Sequence, residues 1–315
     1  MQCPLCQNPT RKFGKNRNGS QRHRCDACAK TFTDESTRND GRRVDAAKMT
    51  LALRMLLEGN SIRAIERLLG IHRDTIITNM IEAGVKCEQF LRKRIVGMPV
   101  ADVQVDEIWG FVGMKEKTRQ HHDAPEIYGD VWMFTAIERT TKLILTHHVG
   151  KRTPIDGAIF ADQLGRATTG RFQLTSDGWR PYLSVIPAIL GTRVDYASLT
   201  KVYGHAPDDR GYSPGTVIDT IETVHLGNPD PDQICTSHVE RHNKTLRMQI
   251  RRLTRLTDAH SKKWENHEAA MAFFIAYYNF CRVHSTIKMT PAQASGLTTE
   301  TWSLERLLAE ANRVA

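Results

Sequence analysis

Val103-Gln104-Val105-Asp106-Glu107-Ile108-Trp109-Gly110-Phe111 carries the apolar residues of a strand, with Val112 extending it, yet it holds an acid in the middle. An ionised carboxylate inside such an element is costly unless it has a partner such as a metal ion. Asp106 is therefore the first candidate site residue, and Glu107, next along, is expected on the opposite side of the sheet. Working outward, residues 130–138 and 143–149 read as two more strands joined by a turn at 138–142. Residues 155–165 read as a helix, 171–176 as a fourth strand, 182–190 as a helix and 193–199 as a fifth strand. Residues 200–234, rich in Gly, Pro and Asp, read as a long loop, of the kind usually functional. Helices follow over 237 to about 255 and over 264–281. The fold class is thus α/β, a layered arrangement of strands and helices.

Two further carboxylates join Asp106. Asp177 ends the fourth strand in Leu174-Thr-Ser-Asp177-Gly-Trp179, where an α/β sheet commonly places its site residues. Glu240 begins the helix Ser237-His-Val-Glu240-Arg-His-Asn-Lys244-Thr-Leu-Arg247. Magnesium takes hard oxygen ligands and keeps several waters, so a few carboxylates from different elements suffice. Two such ions about 4 Å apart can serve both the attacking and the leaving oxygen of a phosphodiester. Each acid also has a plainer reading: Asp106 as a salt-bridge partner, Asp177 as a turn residue before Gly178, Glu240 as one half of a Ser237-x-x-Glu240 capping box. Glu222, Asp219 and Asp232 are rivals for the third place. Lys244, Arg247 and Arg251 recur every three or four residues on the face that carries Glu240, a stripe suited to phosphates.

Upstream, Cys3-Pro-Leu-Cys6 and Cys25-Asp-Ala-Cys28 are two Cys-x-x-Cys knuckles separated by eighteen residues, within the interval of a four-cysteine zinc site. Residues 1–33 hold too few large apolar side chains for a core, and a structural zinc would supply the missing cohesion. A redox pair would need only one such knuckle. Arg11, Lys12, Lys15, Arg17, Arg22 and Arg24 lie between the knuckles, and His23 reads as a surface residue. From Arg43 to about Phe90 the apolar spacing gives three helices. Ser61-Ile-Arg-Ala-Ile-Glu66-Arg-Leu-Leu-Gly70-Ile-His72-Arg73 has the form of a helix-turn-helix, with Ser61 as cap and Gly70 as turn. That geometry nominates Arg73, Asp74, Thr75 and Asn79 for DNA. Glu66 stands where such motifs usually carry a small residue. Arg92-Lys93-Arg94 and Gly97-Met98-Pro99 are read as a linker.

The formal charge of +9 is unevenly placed. Residues 1–98 carry 19 Lys and Arg against 10 Asp and Glu, and 241–263 carry eight bases against one acid. Residues 99–240 between them are acidic, with 13 bases against 19 acids. Basic segments flanking an acidic one suit a polyanion gripped on both sides of a carboxylate-lined site. No run approaches the roughly eighteen apolar residues of a membrane span, and the N-terminus opens on a cysteine pair instead of a leader's apolar region. A protein of the reducing cytoplasm is expected, without a membrane.

Taken together the chain resembles the DDE-type transposases, and most closely those of the insertion sequence 1 family. The resemblance is carried by residues 105–113, Ser176-Asp177-Gly178-Trp179, residues 239–247, residues 277–284 and Thr290-Pro291-Ala292. It implies an RNase H-like catalytic domain over 100–290, a mixed five-stranded sheet with flanking helices. A zinc ribbon over 1–34 and a helix-turn-helix domain over 43–92 precede it, and a helical tail over 291–315 follows. It implies a catalytic triad of Asp106, Asp177 and Glu240 holding Mg²⁺ or Mn²⁺. It also implies metal-dependent cleavage and strand transfer at the element's terminal inverted repeats and target DNA, by a homodimer or higher oligomer at the bacterial nucleoid. The segment 200–234 has no counterpart in the family pattern. A zinc-ribbon DNA-binding regulator and another RNase H-like nuclease are the alternatives.

Overall fold

The computed structural model describes residues 1–16, 20–33, 44–204, 215–255 and 257–314; Arg17 and Arg43 lie outside them. Met1–Met49 and Thr50–Ala315 form two units. In the first, β1 (Thr10–Lys15), β2 (Gln21–Cys25) and β3 (Thr31–Thr33) pair as a small antiparallel sheet in that order. Its buried side chains include Cys3, Cys25 and His23, so His23, expected at the surface, is enclosed beside Phe32.

Three helices follow, α1 (Ala46–Leu57), α2 (Ile62–Leu69) and α3 (Arg73–Arg94). The Ser61 hydroxyl accepts from Ala64 N at 3.1 Å and caps α2. Gly70 ends it at φ 61°, a left-handed conformation that only glycine adopts without strain. Glu66, in the place of a small residue, does not splay the pair, because its carboxylate accepts from Arg73 N at 3.0 Å and ties α2 to the start of α3. Arg92-Lys93-Arg94 forms the last turn of α3, which corrects the linker reading. Basic residues are favoured at a helix C-terminus, so the charge run there belongs to the helix.

The remainder runs β4 (Met98–Pro99), β5 (Asp102–Val112), α4 (Glu116–His121), β6 (Gly129–Glu138), β7 (Ile144–Gly150), α5 (Pro154–Ala167), β8 (Thr168–Thr169), β9 (Phe172–Ser176), α6 (Tyr182–Leu190), β10 (Val194–Gly204), β11 (Thr216–Leu226), α7 (Ser237–Gln249), α8 (Trp264–Phe280), α9 (Pro291–Ala294) and α10 (Leu304–Val314). The main sheet has the order β11-β10-β9-β5-β6-β7. β5, β6 and β7 are antiparallel neighbours, β9 and β10 run parallel to β5, and β11 returns antiparallel on the edge. The mixed sheet with flanking helices is as expected, but it has six strands instead of five. β11 lies within the segment read as a loop. Thr, Val and Ile make up seven of its eleven residues, a β-forming composition hidden by the Gly, Pro and Asp on either side.

Cross-strand register assigns the faces. Glu107 pairs with Phe134, and Phe134 packs on Phe160 of α5 and on Trp179. Asp106 pairs with Thr135, and Thr135 with His147, whose ring meets Glu88 of α3 at 3.0 Å. α5 and α6 therefore cover one face, and α3, α7 and α8 the other. Asn279 of α8 exchanges hydrogen bonds with both backbone groups of Ile144, at 3.0 and 2.9 Å. α8 is apolar on nearly every side, as a helix must be when enclosed by a sheet, α3 and α10. Its approach to α3 is close enough that a Cβ on Gly84 would lie 2.1 Å from the Ala269 carbonyl oxygen.

Candidate active site

β9 pairs with β5 only as far as Val105 opposite Ser176. Beyond that point the two strands part, and Asp106, Glu107 and Asp177 stand at the fork. Asp106 faces α7 and Glu107 faces α5 and α6, on opposite sides as the strand period requires. With no β9 backbone between them, a carboxyl oxygen from each still lies within 4.8 Å of one from Asp177 and of one another. Glu107 thus belongs to the acidic cluster, which its place on the other face gave no reason to expect.

Each acid is held. Asp106 accepts from Glu107 N and from the Asn243 side-chain amide, both at 2.8 Å. Asp177 accepts from Trp179 N at 3.0 Å, closing the turn before the cleft wall. Glu107 accepts from Nε and Nη2 of Arg152, at 3.2 and 2.9 Å. The Gln104 side chain, fully buried on the α7 face of β5, accepts from His238 N and Val239 N at the start of α7. A strand residue thereby fixes the helix that carries Glu240.

Glu240 lines the same open cleft, of about 1180 Å³, as Asp106, Glu107 and Asp177. Its carboxylate is bound by Lys201 Nζ at 2.5 Å and by the Thr236 hydroxyl at 2.7 Å, and it stands outside the cluster of three. The Ser237-x-x-Glu240 capping box does not form: the helix is preceded by Thr236, and no side chain caps it. Glu222 and Asp219 lie on exposed β11, Asp232 on an exposed 3-10 turn, and none of the three lines the cleft.

The electrostatics are those of buried acids crowded together, whose repulsion Arg152 offsets only in part. Burial first, and then the charge of Asp177, push Asp106 up to about 7 and Glu107 up to about 8. Asp177 is raised as well, chiefly by burial. Hard oxygen donors, mutual repulsion and an open side fit a divalent cation of the magnesium type.

Lys244, Arg247 and Arg255 bring positive charge to the cleft. Arg251 departs from the expected stripe: α7 stops at Gln249, Ile250 is extended, and Arg251 starts a 3-10 turn. It lines a second cleft, of about 770 Å³, together with Arg63, Arg73, Arg252, Lys262 and Lys263. Arg73, Asp74 and Thr75 occupy the first turn of α3, with Arg73 and Asp74 exposed, while Asn79 donates to the Thr75 carbonyl of its own helix at 2.9 Å.

In the first unit the sulfurs of Cys3, Cys6, Cys25 and Cys28 lie within 4.8 Å of one another. Cys3 and Cys28 are 3.6 Å apart and Cys6 and Cys25 3.4 Å, near the edge of about 3.8 Å that Zn–S bonds of about 2.3 Å give a tetrahedron. The backbone N–H of Asn8, with its side chain, pulls Cys6 down to about 6. The four cysteines can hold zinc.

Sequence reasoning missed Gln104, Lys201, Asn243 and Arg152. Asn243 was within reach, three residues after Glu240 on one helical face, and Gln104 was a polar residue in an apolar strand. Lys201 and Arg152 carried no local signal.

No known family profile matches the chain. It is 29% identical over 177 residues to the insertion element iso-IS1n protein InsB of Shigella dysenteriae, spanning 56% of this chain and 95% of that protein. Among solved structures, the piggyBac transposase in its synaptic complex with hairpin DNA aligns over 88% of this chain and 73% of that one, at 13% identity and a TM-score of 0.36. In sequence the chain is thus similar to a protein of an insertion element. Among the described residues, no helix is long and apolar enough to cross a membrane.

Proposed function

We propose that the chain is a DDE-type transposase, cleaving DNA at the ends of an insertion sequence and joining the freed 3′-hydroxyl to target DNA. The observation that carries this reading is the meeting of Asp106 and Asp177 at the fork of β5 and β9, with Glu240 and six basic residues lining the same cleft. The strand order, three antiparallel strands followed by two parallel ones, favours an RNase H-like catalytic domain over 100–290 with a helical tail over 291–315. Asp106, Asp177 and Glu240 are assigned as the triad.

Divalent ions such as Mg²⁺ or Mn²⁺, when bound, supply an activated water and a stabilised leaving oxygen. The protein's own groups do the rest. Asn243 orients Asp106, Gln104 and Thr236 place Glu240, and Lys201 neutralises Glu240 until its carboxylate is needed as a ligand. Lys244 and Arg247 bind the phosphates flanking the cut. No side-chain base is required.

Recognition of the terminal inverted repeats is assigned to the zinc ribbon over 1–34 and the helix-turn-helix over 43–92, through Arg73, Asp74, Thr75 and Asn79. The cleft lined by Arg63, Arg73 and Arg251 favours this, since a concentration of cations beside the start of α3 suits a DNA backbone. A homodimer or higher oligomer acting at the nucleoid follows from the need to join two DNA ends.

The test is a strand-transfer assay with Mg²⁺ on the wild type and Asp106→Asn. Joined product that is lost in the variant, while DNA binding persists, is the expected result. Cleavage without joining would make the chain a nuclease, and binding without cleavage a regulator.

A further inference from the structure

Arg152, on the connection between β7 and α5, sits on the cleft wall in a setting built for a guanidinium. Its Cζ lies 4.7 Å from the centre of the Trp132 ring and 5.4 Å from that of Trp179, so two indoles contact the group. One edge is fixed by Glu107, whose side chain is 1% exposed; Nη2 also lies 3.5 Å from Asp177 Oδ2. Yet Arg152 itself is 33% exposed and lines the cleft. Nε and Nη2 donate to Glu107, while Nη1 has no acceptor among the described residues. A planar donor group clamped on one edge and held against two indoles presents its remaining N–H groups in a set direction, the arrangement that recognises phosphate oxygens.

We propose that Arg152 binds a non-bridging oxygen of the phosphodiester held at the carboxylates, with Glu107 as the positioning residue that aims it. The inference rests on the transposase reading and adds a substrate contact to it. A buried acid and two indoles are more support than a surface ion pair needs. They make sense if the guanidinium must hold its orientation when an anion arrives.

The experiment compares wild type, Arg152→Ala, Arg152→Lys and Asp106→Asn with Mg²⁺, on a DNA duplex carrying either an ordinary or a neutral methylphosphonate linkage at the cleavage position. On the ordinary linkage Arg152→Ala should cleave about 100-fold more slowly than wild type, with Arg152→Lys recovering part of the loss. On the methylphosphonate the two should differ by less than threefold, because the charge that Arg152 meets is gone. Damage to folding would slow both linkages alike, so an equal loss on both overturns the proposal, as does Arg152→Ala within threefold of wild type on the ordinary linkage. A reading without turnover is the fluorescence of Trp132 and Trp179 during titration with a short phosphodiester oligonucleotide in the absence of metal. A saturable change, absent with the methylphosphonate oligonucleotide and in Arg152→Ala, supports the contact; no change in wild type counts against it. If wild type fails to cleave, or Asp106→Asn cleaves as wild type does, the transposase reading itself falls and the inference with it. Loss in Asp106→Asn beside an unaffected Arg152→Ala defeats the inference alone.

Discussion

Cys3, Cys6, Cys25 and Cys28 reach one another through tight turns in the first 33 residues, whereas Asp106 and Glu107 meet Asp177 only because β5 pairs with β9 and then parts from it. Both sites gather donors that repel when ionised. The thiol site sits on a small three-stranded sheet with few large buried apolar side chains among its described residues, and a metal there would be structural. Around the carboxylates lies an extensive apolar core of β5, β6, β9, α7 and α8, and on the proposed function a metal there would serve chemistry.

The comparison would break most visibly on metal removal. Zinc binding to such a site is worth about 10 kcal/mol of folding free energy, so a strong chelator should abolish the dispersed amide signals of residues 1–33 and leave those of Thr50–Ala315 nearly unchanged. Loss of the second set instead would mean that the carboxylate cleft, too, folds around its ion. A smaller effect is expected at Gln104, which joins strand to helix without any metal. Gln104→Ala removes two acceptor contacts to the start of α7 and leaves a buried gap, at a cost of about 3 kcal/mol. Denaturant unfolding would measure it, and a loss below about 1 kcal/mol would show that Glu240 is placed by other means.

The pH dependence sharpens the contrast further. Asp106 and Glu107 are raised in the folded protein, to about 7 and about 8, so the native state binds more protons than the unfolded chain between pH 4 and 8. As far as these groups decide it, stability of the metal-free protein should therefore be greatest below about pH 4 and fall as pH rises towards 8, by on the order of several kcal/mol. Excess Mg²⁺ should remove most of that fall, and Asp106→Asn should flatten it. A metal-independent slope would place the titration elsewhere. The smallest effect belongs to Ser61→Ala, which removes the α2 cap and should cost about 1 kcal/mol by thermal unfolding. The carboxylate pKa values should not move with it.

Much of this was readable along the chain because its signals are local. A knuckle is four residues, a glycine turn is one, and the apolar spacing of α1, α2 and α3 repeats within a few turns. β11 was not readable, since its short apolar run is flanked by residues that usually mean a loop. The end of the stripe after Arg247 was not readable either, because Ile250 leaves the helix and takes Arg251 to a different cleft.

The site divides in the same way. Sequence by itself determined which residues carry chemistry: an acid inside an apolar strand, another at a strand's end, four paired cysteines, a basic helix. Only the tertiary structure decided that Glu107 joins Asp106 and Asp177 while Glu240 is held by Lys201, and that Arg152 meets Glu107 and Asp177 beside two indoles. Those relations depend on where strands separate and which loops face the gap, and pairwise distances between residues dozens of positions apart leave no periodic trace in a linear sequence.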